Sequence, residues 1–131
     1  MNDLNTEKKV DFSFATLILT KDGIAVLNFK DNQEISVDNA IELNETFGNL
    51  TKGRRVPVLM ILGEFTNYSD EAKSYSASYE GTKYSLAEAI LVKNIGLRIV
   101  AQMYLVINKP SVPTKFFTKT EDAIVWLKSY F

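Results

Sequence analysis

Histidine and cysteine are both absent from these 131 residues. That removes the commonest general base, every Ser-His or Cys-His nucleophilic pair, disulfides and thiolate-bound metals. Zinc would have to be held by carboxylates alone, against its preference for nitrogen and sulfur, so no metal is expected. The six glycines, at 23, 48, 53, 63, 81 and 96, never take GxGxxG or GxxxxGK[ST] spacing. Phosphate loops of those kinds are therefore excluded, and no cofactor is expected. Carboxylates and hydroxyls remain. Glu64, Asp70 and Glu71 follow the apolar run Val56 to Leu62, near the strand end where open α/β sheets bind ligands. A helix start accounts for Asp70 and Glu71 without chemistry, because acidic side chains complement its dipole.

Ser69 is the most informative hydroxyl. It follows a buried strand and precedes Asp70 and Glu71, so it reads as a helix N-cap worth about 1 kcal/mol. The same place suits a phosphate, whose charge the helix dipole would favour, which makes Ser69 a candidate phosphosite. Tyr68, Tyr75, Tyr79 and Tyr84 cluster around that helix. Tyrosine suits half-wet positions such as core edges, pocket rims and interfaces.

The elements that position these groups follow from pattern. Phe14 to Thr20 (FATLILT) and Ile24 to Lys30 (IAVLNFK) are β-rich and separated by Lys21, Asp22 and Gly23, a hairpin signal. Ser36 can cap a helix whose apolar residues Val37, Ala40, Leu43, Phe47 and Leu50 recur at helical spacing. Val56 to Leu62 (VPVLMIL) is continuously apolar, as a strand covered on both faces should be, with Pro57 at its start. A small-sided helix runs from Ser69 towards Gly81, and Leu86 to Val92 (LAEAILV) reads as another buried strand. Lys115 to Phe117 can add an edge strand. Thr118 with Glu121 fits a capping box for a closing helix with Ala123, Ile124, Leu127, Tyr130 and Phe131 inward and Trp126 on its flank.

Ile95 to Ile107 (IGLRIVAQMYLVI) is apolar on nearly every side, interrupted mainly by Arg98 and Gln102 on one face. It is too short for a bilayer, which needs about 20 apolar residues, so no transmembrane segment is expected. Such a helix is wrapped by the core, covered by a partner, or walls an apolar cavity. The order β-β-α-β-α-β-α-β-α describes an α/β fold with a mixed, mostly parallel sheet of about five strands, an N-terminal hairpin and about four helices.

Composition sets further bounds. A chain of 131 residues with 46% hydrophobic and 24% charged side chains is one ordinary globular domain. Met1 to Val10 (MNDLNTEKKV) is polar, so residues 1–12 are expected as a flexible arm before a single domain at 13–131. With no apolar leader, a cytoplasmic protein is expected, and the glycosylation triplets at Asn44, Asn49 and Asn67 carry no weight. The net charge of −1 gives no field for phosphate backbones, and the basic cluster Lys52, Arg54 and Arg55 falls in a loop, so no nucleic acid is expected as a partner.

The hairpin, VPVLMIL, the Ser69-capped helix, the apolar segment from Ile95 followed by NKPSVPTKFF, and the closing EDAIVWLKSYF together resemble the STAS/SpoIIAA-like domains of bacteria. The strongest likeness is to small uncharacterised bacterial proteins with an NKP..PTK.F segment followed by AI.WL, here Asn108 to Phe117 and Ala123 to Leu127. The resemblance spans nearly the whole chain after the first dozen residues. It implies a SpoIIAA-like fold and a role in regulatory protein contacts or in holding a small apolar ligand. In the anti-sigma-factor antagonists of that superfamily, a serine at the start of the helix after the third strand is phosphorylated, and Ser69 occupies a similar place. Their Asp-Ser-Ser/Thr-Gly signature is absent, since Asn67, Tyr68, Ser69, Asp70 and Glu71 stand there.

The expectation is thus a non-enzymatic regulatory domain acting through protein contacts, as a homodimer or with a partner protein. The alternative is a carrier or sensor of a small apolar, lipid-like ligand. The ligand or partner surface is expected at Tyr75, Tyr79, Arg98, Ile99, Gln102, Met103 and Tyr104. On the carrier reading, Ile99, Met103 and Tyr104 line the cavity and the Tyr75 and Tyr79 rings stand at its mouth.

Overall fold

The computed structural model describes residues 6–131. Strands β1 (Thr6–Asp11), β2 (Ala15–Thr20) and β3 (Ala25–Phe29) form an antiparallel meander. Gly23 makes the second turn at φ +86°, a conformation that costs glycine nothing. A two-residue strand, β4 (Glu34–Ile35), leads to Ser36 and helix α1 (Val37–Thr51). Ser36 Oγ accepts from the Asn39 N–H at 3.1 Å, and Asn39 Oδ1 accepts from the Ser36 N–H at 3.0 Å. This reciprocal box satisfies two donors that a helix start leaves free.

Strand β5 (Val56–Ile61) lies parallel to β3, and β7 (Ser85–Leu91) and β8 (Thr114–Phe117) continue the sheet in parallel. The main sheet has the order β1-β2-β3-β5-β7-β8, and β4 pairs in parallel with β6 (Asn67–Tyr68) as a separate two-stranded ribbon. Helices α2 (Asp70–Ala77), α3 (Ile95–Ile107) and α4 (Thr120–Lys128) complete the fold. None of the helices among the described residues is long and apolar enough to cross a membrane. Pro57 sits second in a central strand although it has no N–H to donate, and the β5/β7 register slips between Val56 and Pro57.

The sheet alternates as its pleat requires. Ile24, Val26, Leu59, Ile61, Ala87, Ala89 and Leu91 face α4, whose Ala123 and Leu127 are fully buried against them. Leu17, Leu27, Phe29 and Val58 face the opposite way, onto Leu43 and Phe47 of α1. At the β7 and β8 end that second face carries α3, through a thin cluster of Ile90, Val92, Ala101, Leu97, Tyr104 and Phe116. One helix therefore seals one face, and three share the other.

The sheet is mixed and mostly parallel, with four helices, as the sequence predicts, but among the described residues it holds six strands rather than about five. The extra strand comes from the expected arm. Thr6–Asp11 pairs with β2, and Lys8 Nζ donates to the Leu50 carbonyl at 3.1 Å, while Met1–Asn5 lies outside the described residues. Helix α2 stops at Ala77 instead of reaching Gly81, because Ser78 turns extended (φ −71°, ψ 166°) and its Oγ accepts from the Gly81 N–H at 3.0 Å. The capping box expected from Thr118 and Glu121 does not form. Lys119 is the N-cap residue of α4, with no side-chain cap bond, and Phe131 lies exposed over the Gly23 turn instead of inward.

Candidate functional site

Two cavities open on the face shared by α1, α2 and α3, separated only by Met60, Tyr68 and Ser76, which line both. The larger, about 300 Å³, lies between the sheet and α3. Its walls are Met60 and Leu62 from β5 and its end, Ile90 from β7, and Leu97, Val100, Ala101 and Tyr104 from the inner side of α3. Phe65, Thr66, Asn67 and Lys73 complete the rim. The lining is predominantly apolar with a few polar groups, the usual constitution of a small-molecule site.

The rim is held by a network between the loops that leave β3 and β5. The Asn32 N–H donates to the Glu64 carbonyl at 2.8 Å, and the Glu64 N–H donates to Asp31 Oδ1 at 2.8 Å. Thr66 Oγ1 donates to the Lys30 carbonyl and accepts from the Gln33 N–H at 3.1 Å. Glu64 thus acts through its backbone, which gives it the structural role that spacing alone does not supply. Gly63 is required by close approach, since a Cβ there would lie 2.3 Å from the Lys30 carbonyl oxygen.

The smaller cavity, about 60 Å³, sits beneath α1 and α2 and is lined by Asn44, Tyr75, Ser85 and Glu88 among apolar side chains. Glu88 is the one charged residue type in the core of the described chain. It projects from the centre of β7, opposite Val58 and Thr114, onto the face away from α4. Burial pushes its carboxyl up to about 7, opposed by the hydrogen bond that Ser85 Oγ donates to Oε2 at 2.9 Å. The Tyr68 hydroxyl is raised well above its ordinary value by burial, then by Tyr104 and Glu88, and Tyr104 is raised by burial and then by Glu88. These groups form one desolvated cluster along the boundary between the cavities.

Ser85 and Glu88 have the form of a hydroxyl with an adjacent base, an arrangement that can activate a nucleophile. Their cavity has room for a few water molecules and not for a substrate. Sequence reasoning overlooked Glu88, and the signal was present. In a strand covered on both faces every side chain is enclosed, so the acid within LAEAILV has no solvent face to take.

The expected surface residues separate. Tyr104 lines the large cavity. Ile99 and Met103 do not, because they stand on the outer side of α3 with Ile95 and Val106, all exposed. Gln102 is exposed too, and the Arg98 guanidinium lies 5.9 Å from the Phe116 ring centroid. Tyr75 is at the smaller cavity rather than the mouth of the larger, its hydroxyl accepting from Asn44 Nδ2 at 3.0 Å, and Tyr79 is 82% exposed outside both. Ser69 caps α2 as its position predicts, accepting from the Ala72 N–H at 3.1 Å. The basic loop serves the backbone: Arg55 Nη2 donates to the Ser85 carbonyl at 2.8 Å and Arg54 Nε to the Thr51 carbonyl at 3.2 Å.

Among solved structures, the chain is similar to an uncharacterized protein of the DUF3478 family with a SpoIIAA-like fold from Shewanella loihica PV-4. The match has 17% identity and a TM-score of 0.58, covering 86% of this chain and 91% of the other. At that identity the likeness establishes the fold, which is SpoIIAA-like. A protein with unknown function from Arthrobacter sp. FB24 is 26% identical over 90% of this chain and 95% of its own, but its TM-score of 0.31 carries no argument. No curated protein matches the chain. Residues 18–131 match the family model described as a domain of unknown function, DUF7793, and the chain belongs to that family.

Proposed function

We propose that this chain is a non-enzymatic binding domain whose site is the apolar cavity beneath α3, and that it holds a small apolar ligand there. The observation that carries this reading is the cavity itself, about 300 Å³ and walled by Met60, Leu62, Ile90, Leu97 and Tyr104. It opens to the surface at its rim, and a concave apolar site of this size with a few convergent polar groups has the constitution of a small-molecule pocket. The non-enzymatic part is supported by the lack of histidine and cysteine and by the confinement of the Ser85 and Glu88 pair to a cavity of about 60 Å³.

A second reading, regulatory contact with a second copy or another protein, is favoured by the outer side of α3. Ile95, Ile99, Met103 and Val106 recur there at helical spacing, and Ile95 and Val106 are 75% and 71% exposed. A contiguous apolar stripe of that kind marks an interaction surface more often than a solvated face. The two readings are compatible, since one helix would wall the ligand and meet the partner.

Native mass spectrometry of freshly purified protein, followed by denaturing extraction, tests both. Retained extra mass that is released as an apolar compound supports the ligand reading. Bare protein that also fails to bind a neutral hydrophobic dye such as Nile red saturably refutes it. Dimers in the same spectrum support the second reading.

A further inference from the structure

We infer that the cavity beneath α3 takes a single-chain amphiphile with an anionic head, the chain lying against Met60, Ile90 and Leu97 and the head at the rim beside Lys73. The inference rests on the proposed ligand-binding reading and specifies the ligand's chemistry.

Three observations point the same way. Among the described residues, Lys73 is the one ionisable side chain other than tyrosine in the cavity lining, so the charge they place at this site is positive and lies at the edge of an apolar chamber. Among the described residues its ammonium makes no ion pair and no hydrogen bond, although the side chain is half-buried. The acidic residues of the same helix, Asp70 and Glu71, are exposed and outside the lining. An ammonium on a half-buried side chain at an apolar rim, with no partner among the described residues, is an open charge site that a carboxylate or phosphate would complete.

The second observation is Phe65. Its ring is 83% exposed at the same rim, on a backbone at φ +57° that bulky side chains rarely adopt. A large aromatic held in water beside an apolar opening gains burial when a chain enters. Such backbone conformations concentrate at ligand clamps and switch regions. The third is size. At about 300 Å³ the chamber is at the small end for ligand pockets, which suits one alkyl chain and excludes the paired chains of a phospholipid.

Isothermal titration calorimetry with decanoate, decyl phosphate, decanol and decyltrimethylammonium, each below its micellar concentration, tests the charge preference. The expected result is saturable one-to-one binding of decanoate, decyl phosphate or both, roughly tenfold tighter than decanol, with the cation weakest. Lys73→Gln is expected to abolish that roughly tenfold preference while leaving decanol affinity unchanged. Lys83→Gln, at a lysine bonded to Glu80 and outside the cavity, is expected to change none of them. If decanol binds as tightly as the anions, or the preference survives in Lys73→Gln, the charge inference falls and the apolar site stands. If no probe binds saturably, the ligand-binding reading falls with it.

Discussion

Replacing Glu88 by glutamine removes the one carboxylate that folding encloses in the core among the described residues, and with it a pH-dependent cost. Below pH 4.5 the carboxyl is neutral whether the chain is folded or not. Between pH 4.5 and about 7 the unfolded chain releases a proton that the folded chain keeps, so stability falls as pH rises. Above about pH 7 both states are ionised and the penalty is constant. At about 1.4 kcal/mol per pH unit, the displacement from 4.5 to about 7 amounts to roughly 3 kcal/mol, a large part of the stability of a domain this size. Glutamine is close in shape, carries no proton equilibrium and retains an oxygen to accept from Ser85 Oγ. Urea denaturation of both proteins at pH 5 and pH 8 isolates the effect, because every other titrating group is common to the pair. The two should differ by less than about 1 kcal/mol at pH 5, with Glu88→Gln more stable by roughly 3 kcal/mol at pH 8. A difference that is the same at both pH values would refute the burial argument.

Asn44→Ala removes the two bonds that Nδ2 donates, to Tyr75 Oη and to the Glu80 carbonyl, each at 3.0 Å. A loss of about 1–3 kcal/mol by urea denaturation is expected, with Tyr75→Phe costing less because the backbone bond survives. Gly63→Ala forces a methyl against the Lys30 carbonyl, so a loss of about 1–3 kcal/mol should appear in the same assay, together with weaker binding of any ligand at the Thr66 to Tyr68 rim. If the outer side of α3 is an interface, Ile95→Glu with Val106→Glu should convert dimers to monomers in sedimentation velocity while leaving thermal stability nearly unchanged, since both positions are largely exposed.

Much of the fold was legible because its signals are local. Ser36 and Ser69 cap helices wherever tertiary packing puts them, and the run from Val56 has the continuous apolarity that only a doubly covered strand tolerates. Thr6–Asp11 was illegible because an edge strand with one solvated side has the composition of a polar tail, and its partner is fixed by pairing rather than by its own residues. The β4 and β6 ribbon is too short to show any period. For α3 the sequence predicts the helix but not which of its sides meets the sheet. Apolar residues all round leave the rotation undetermined, so Ile99 and Met103 were expected inside, where Leu97, Val100 and Ala101 stand. Tyr104 stands beside them in the cavity wall.

The strand that reads as a tail has a consequence for handling the protein. Ala15–Thr20 (ATLILT) is uncharged, free of proline and rich in β-branched residues, the composition of a segment prone to stack with copies of itself. Thr6–Asp11 occupies its outer hydrogen-bonding edge and presents Glu7, Lys9 and Asp11 to the surroundings in its place. A chain trimmed at residue 12 would keep every helix and the whole cavity, and would expose a bare sticky edge; precipitation of such a shortened protein would report the loss of this guard rather than any failure of the domain to fold.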